Sequence, residues 1–80
     1  MNTKEAIAQR IIALCKEQNI TINTLSYRSG NPSSTIYSML NTKSKNPGVV
    51  SIKKLCDGLE ISLRAFFDCD LFNELEQEIK

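Results

Sequence analysis

The tetrapeptide Ser29-Gly30-Asn31-Pro32 limits what this chain can fold into more than any other stretch. Glycine accepts a left-handed backbone at little cost. Proline has no amide proton and fits the first position of a helix, where that amide has no intrahelical partner. Upstream, in "ITINTLSYRSG", Ile22 and Leu25 share one face behind Thr21. The pattern predicts a short helix capped by Thr21 and stopped at Gly30. Downstream, Ile36, Met39 and Leu40 recur at helical spacing in "SSTIYSML", predicting a helix with Asn31 as N-cap and Pro32 at its first position, running to about Asn41. A helix that ends at Gly30 and another that starts about two residues later meet at a steep angle. That is a helix-turn-helix unit, spanning about residues 21–41.

The flanking segments are also helical in pattern. Ile7, Ile11 and Leu14 or Cys15 repeat every three or four residues, predicting an amphipathic helix over residues 4–18. Thr3 is the expected cap, Glu5 suits the positive end of the dipole, and Asn19 is the exit. After the lysine-bearing loop "TKSKNPGVV", Ser51 is predicted to cap a fourth helix with Ile52, Leu55, Cys56 and Leu59 on one side. Gly58 inside it costs about 1 kcal/mol against alanine, which points to close packing. Ser62 caps a short fifth helix anchored by Leu63, Phe66 and Phe67. In the closing "DLFNELEQEIK", Leu71, Leu75 and Ile79 lie four apart with Phe72 beside them. No strand-like alternation runs beyond three or four residues, so the expected class is all-α. The 80 residues suit one domain, with residues 1–68 as its body and 69–80 as an acidic amphipathic extension.

Several function classes are disfavoured by what the chain contains. It has no histidine, no Cys-x-x-Cys, no Ser/His/Asp set and no glycine-rich phosphate loop. Neither catalysis nor a metal or cofactor site is expected. Cys15 and Cys56 fall on apolar stripes and read as reduced core residues; Cys69 sits between two aspartates, which disfavours a thiolate. No apolar run approaches the ~18 residues of a membrane span, and "MNTKEAIAQR" turns polar too quickly for a secretory signal. A soluble, cytoplasmic protein is the expectation. The formal net charge of +1 conceals an asymmetry: residues 1–67 carry nine Lys or Arg against four Asp or Glu, a net of +5, whereas residues 68–80 carry Lys80 against five acids, a net of −4. A basic body suits an anionic partner, although an uneven solvated surface has the same signature.

With these elements in order, residues 21–67 resemble the Cro/phage-repressor type of helix-turn-helix, the XRE-like transcriptional regulators. Leu25, Gly30, Ile36 and Met39 occupy the apolar and glycine positions of that unit, Asn41 stands where its third helix ends, and "SIKKLCDGLEISLRAFF" matches its closing pair of helices. Three positions depart from the pattern, one of them Thr42, where the family often has glycine after the asparagine that ends the third helix. Ser26 replaces a usual alanine and is expected to bond back along its own helix; Glu60 replaces a common glycine at the end of the fourth helix. The resemblance implies a compact five-helix lambda-repressor-like DNA-binding domain with a short C-terminal helical extension.

It further implies double-stranded DNA as partner and a third helix lying in the major groove. On that basis Ser33, Ser34, Tyr37 and Ser38 are the candidate base-reading residues. Thr21, Asn23, Thr24, Thr35, Asn41, Lys43 and Lys45 are candidate phosphate contacts, with Arg28, Lys53 and Lys54 weaker ones. Leu71, Phe72, Leu75 and Ile79 either pair with a second copy or a protein partner, or fold back on the core as a sixth helix. The expected function is sequence-specific regulation of transcription, repression rather than activation, by a homodimer. The alternative is an antitoxin or protein-interaction adaptor on the same scaffold, because the third helix lacks the Arg, Gln or Asn that make strong bidentate base contacts.

Overall fold

The computed structural model describes residues 1–41 and 46–79. It holds five α-helices: α1 (Thr3–Gln18), α2 (Ile22–Ser29), α3 (Ser33–Leu40), α4 (Val49–Leu59) and α5 (Leu63–Phe67), followed by a single 3-10 turn, Asp70–Phe72. The described residues contain no strand. The class is all-α, as expected.

Each helix end has a local cause. Asn2, rather than Thr3, caps α1: its Oδ1 accepts from the Glu5 N–H at 2.8 Å while Glu5 Oε1 accepts from the Asn2 N–H at 3.0 Å. That reciprocal box requires a carboxylate three residues after the cap, which only Asn2 has. At the far end Asn19 takes φ 55°, and the Ile20 N–H closes onto the Cys15 carbonyl at 2.9 Å. Thr21 caps α2, accepting from the Thr24 N–H at 3.1 Å, and Ser62 caps α5 through the Ala65 N–H at 2.9 Å. Gly30 ends α2 at φ 73°. Glu60 holds φ 59° at the end of α4, a conformation that costs any side chain with a Cβ roughly 1–2 kcal/mol.

Ile11, Leu25, Ile36, Leu55 and Phe66 have no exposed surface and form the middle of one core shared by all five helices. α2 and α4 approach each other closely. A Cβ on Gly58 would lie 2.9 Å from the Ser29 backbone nitrogen and 3.0 Å from its Cα, so the glycine expected from sequence to mark tight packing does so. Long polar side chains of α1 then bind the other helices at their ends. Arg10 donates to the Phe66 and Ala65 carbonyls at 2.7 and 2.9 Å, and Gln18 donates to the Leu59 carbonyl at 2.8 Å. These contacts engage carbonyls at the C-termini of α5 and α4.

Cys15 and Cys56 are buried and reduced. Burial pushes both thiols above their ordinary value, and for Cys56 the neighbouring Asp57 carboxylate adds to the rise.

Among its described residues the extension is helical only in its one 3-10 turn. Phe72 packs edge-on against Phe67 at 5.0 Å and lies 6.3 Å from Phe66. Beyond Asn73 the chain runs without helix back to the start of α1. There the Glu76 N–H donates to the Met1 carbonyl at 3.2 Å and the Thr3 hydroxyl to Glu78 at 3.1 Å. The sixth helix suggested by the four-residue spacing does not form. Asp70, Glu74 and Glu78 share that same spacing, and like charges so placed repel while carboxylates also oppose the negative end of a helix dipole.

Candidate nucleic-acid interface

The eight-residue α3 has one buried face and one open face. Ile36 is fully buried and Met39 is 3% exposed; they brace the helix from behind against α1 and α2. One helical turn away, Ser34, Tyr37 and Ser38 stand in an exposed stripe, and Ser33 and Thr35 flank it half-buried. The four residues expected to line the outward face are therefore brought together, with Ser33 the most recessed side chain. None of them carries charge, and the span 29–41 contains no ionisable group except the Tyr37 phenol.

The start of α3 differs from the sequence-based expectation. Asn31 does not cap it. Pro32 is the N-cap, its carbonyl accepting the first helical bond from Thr35 at 2.9 Å, and no side chain closes the first turn. The Asn31 side chain turns inward and donates to the Ser51 carbonyl at 3.1 Å. Nor does Ser51 cap α4 as its residue type suggests: α4 begins two residues earlier behind Gly48, so Ser51 lies within its first turn. Ser26 departs likewise. Its hydroxyl donates forward to the Asn31 carbonyl at 2.7 Å instead of back along α2.

A cleft of about 300 Å³ runs beside the open face of α3. Ser34, Thr35, Ser38 and Met39 form one wall, and Asn46, Pro47, Gly48 and Ser51 form the other. This second wall was not singled out in the sequence. Proline and glycine in "NPGVV" signal a breaker, but nothing local tells that the breaker lies against α3.

The candidate phosphate contacts are scattered by comparison. Thr21 and Asn23 are exposed at the start of α2 and Thr24 is half-buried; the Thr21 and Thr24 hydroxyls lie 3.1 Å apart and share a hydrogen bond. Asn41 is exposed just after α3. Lys43 and Lys45 lie outside the described residues. Lys53 is paired with Asp57 one turn on, and Arg28 shares a polar recess with Asp57 and Glu60. Lys54 is exposed.

Comparison with known proteins agrees with this geometry. The family model of the Cro/C1-type HTH DNA-binding domain matches residues 10–70. A solved structure, the crystal structure of the prophage Lp1 protein 11, is similar to the chain at 36% identity and a TM-score of 0.82, covering 94% of this chain and 100% of that one. No curated protein matches.

Proposed function

The chain belongs to the Cro/C1-type HTH DNA-binding domain family, and from that premise we propose that it is a small transcriptional repressor that reads a specific duplex sequence with α3 in the major groove. The observation that carries this is the two-sidedness of α3: Ile36 and Met39 are buried, and the opposite stripe of Ser34, Tyr37 and Ser38 is exposed and uncharged. A buried back keeps the helix rigid while the open face meets base edges. Ser33 joins the readers from the first turn. Hydroxyls donate or accept, so each tolerates more than one base, and sequence-dependent DNA shape supplies the remaining selectivity.

Affinity in this reading comes from the backbone of the duplex. Thr35 within the reading helix, and Thr21, Asn23, Thr24, Asn41, Lys43 and Lys45 on either side of it in sequence, contact phosphates. The protein acts in the cytoplasm as a homodimer on a near-palindromic site, its exposed Ile79 and the half-buried Leu71 and Leu75 contributing to the contact between copies. Phe72 is largely committed to its own aromatic cluster.

Selection from random duplex DNA, followed by salt titration, tests the proposal. An enriched sequence is expected, with log K falling against log salt at a slope of about −4 to −5 for four to six phosphates neutralised per dimer. A slope near zero with no enriched sequence would overturn it. That outcome would favour the second reading, an antitoxin or adaptor that uses the scaffold for protein contacts, which the absence of Arg, Gln and Asn from α3 supports.

A further inference from the structure

The turn between α2 and α3 is held by polar contacts that helix capping does not require. Asn31 is 4% exposed. Its backbone N–H donates to Ser29 Oγ at 3.2 Å, its carbonyl accepts from Ser26 Oγ at 2.7 Å, and its side-chain amide donates to the Ser51 carbonyl at 3.1 Å. Two of these bonds reach back into α2, and the third crosses to the first turn of α4, twenty residues away. Pro32 follows at φ −57° and opens α3. The direction in which α3 leaves the turn is therefore set by a residue tied to both α2 and α4.

An apolar side chain would occupy the same space without the cost of burying an amide. What the amide adds is direction, because a hydrogen bond fixes distance and angle where dispersion contacts tolerate sliding. The tie also ends at Ser51, which lines the same cleft as Ser34 and Ser38. It thus ties the turn that opens α3 to the start of α4, one wall of that cleft.

Resting on the DNA-binding reading above, we propose that Asn31 is a positioning residue for sequence recognition: bonded to Ser26 and Ser51, it holds Ser34, Tyr37 and Ser38 at the angle from which they meet base edges. It touches no DNA itself. Its loss therefore weakens selectivity and leaves phosphate-driven affinity in place.

The test compares wild type, Asn31→Leu, Ser26→Ala and the double variant on the duplex enriched from the random pool and on a scrambled duplex. Each is titrated across a salt series, with circular dichroism giving the folded fraction at the assay temperature. Both single variants are expected to keep the wild-type salt slope and scrambled-duplex affinity. Each is expected to lose about tenfold in the ratio of specific to non-specific affinity. The double variant is expected to lose little more than the worse single, because both changes act on one turn. Unchanged ratios in folded variants would overturn the positioning role, as would affinities for both duplexes that fall in parallel with the folded fraction. Should Asn31→Leu fail to fold, Ser26→Ala decides alone, since it deletes one half-buried hydroxyl and leaves the Asn31 amide in place. A wild-type protein that enriches no duplex overturns the DNA-binding reading and this inference together, and does so before any variant is made.

Discussion

Gly58→Ala sets two effects of opposite sign against each other. Within α4, alanine is the better helix former by about 1 kcal/mol, so a reading confined to the helix makes the variant more stable. The packing reverses the sign. The new Cβ would stand 2.9 Å from the Ser29 nitrogen and 3.0 Å from its Cα, whereas carbon contacts are comfortable only from about 3.5 Å. α2 and α4 must then part by about half an ångström, and the obstructing atoms are backbone, which no rotamer change can move aside. Overpacking of this kind costs roughly 1–3 kcal/mol. Net destabilisation of about 0–2 kcal/mol is expected, each kcal/mol lowering Tm by roughly 4–8 °C in a domain of this size. Urea unfolding followed by far-UV circular dichroism, with the slope m unchanged, measures it. A variant more stable than wild type by about 1 kcal/mol would show that α2 and α4 do not touch as closely as the structure has it.

Glu60→Gly should stabilise the fold by about 0.5–1 kcal/mol, because Glu60 holds φ 59° and glycine removes that strain at some cost in chain entropy; urea midpoints give the answer. In native protein, Cys69 should react with a thiol reagent well before Cys15 and Cys56, which are buried; mass spectrometry of the alkylated chain reads the order. The raised thiols also carry a pH signature. Below the ordinary thiol value of 9.0 both states are protonated, and above it the unfolded chain ionises first. Stability should therefore decline as pH rises past that value, and Cys56→Ala should flatten the decline. Asn2→Ala should lower stability by about 1 kcal/mol through loss of the capping box.

What was legible in the chain was local. Thr21, Ser62, Gly30 and Asn19 act within a few residues of themselves, and each stands where its residue type says it should. The inward positions Ile36 and Met39 followed from helical spacing, and the exposure of Ser34, Tyr37 and Ser38 from the same spacing read on the other side. Asn2 and Glu5 form a box whose three-residue spacing was there to be read, but Thr3 offered a competing cap. Asn31 and Ser51 were misassigned for a deeper reason. Each is a good N-cap by residue type, but the approach of α4 to the turn draws the Asn31 side-chain amide onto the Ser51 backbone carbonyl, and α4 starts behind Gly48, two residues before Ser51. Gly58 marks close packing of α4, but nothing near Asn31 or Ser51 says which segment α4 packs against. In the extension, apolar spacing argued for a helix, while the carboxylates at the same spacing argued against it and prevailed.

The uncharged face of α3 bears on how many copies must act together. Three exposed hydroxyl-bearing residues, Ser34, Tyr37 and Ser38, face outward, and a neutral hydrogen bond contributes about 1 kcal/mol net. One α3 then discriminates by about 3 kcal/mol, short of the ~4–10 kcal/mol that separates specific from non-specific binding in DNA-binding proteins. Two copies reach about 6 kcal/mol, within that range. If the proposed reading holds, a single chain slides on DNA and a pair of chains chooses a site. Cutting an enriched palindrome to one half-site should therefore reduce binding to nearly the scrambled-duplex level. Full affinity on a half-site would mean that selectivity resides outside α3, and would shift attention to the wall formed by Asn46, Pro47 and Gly48.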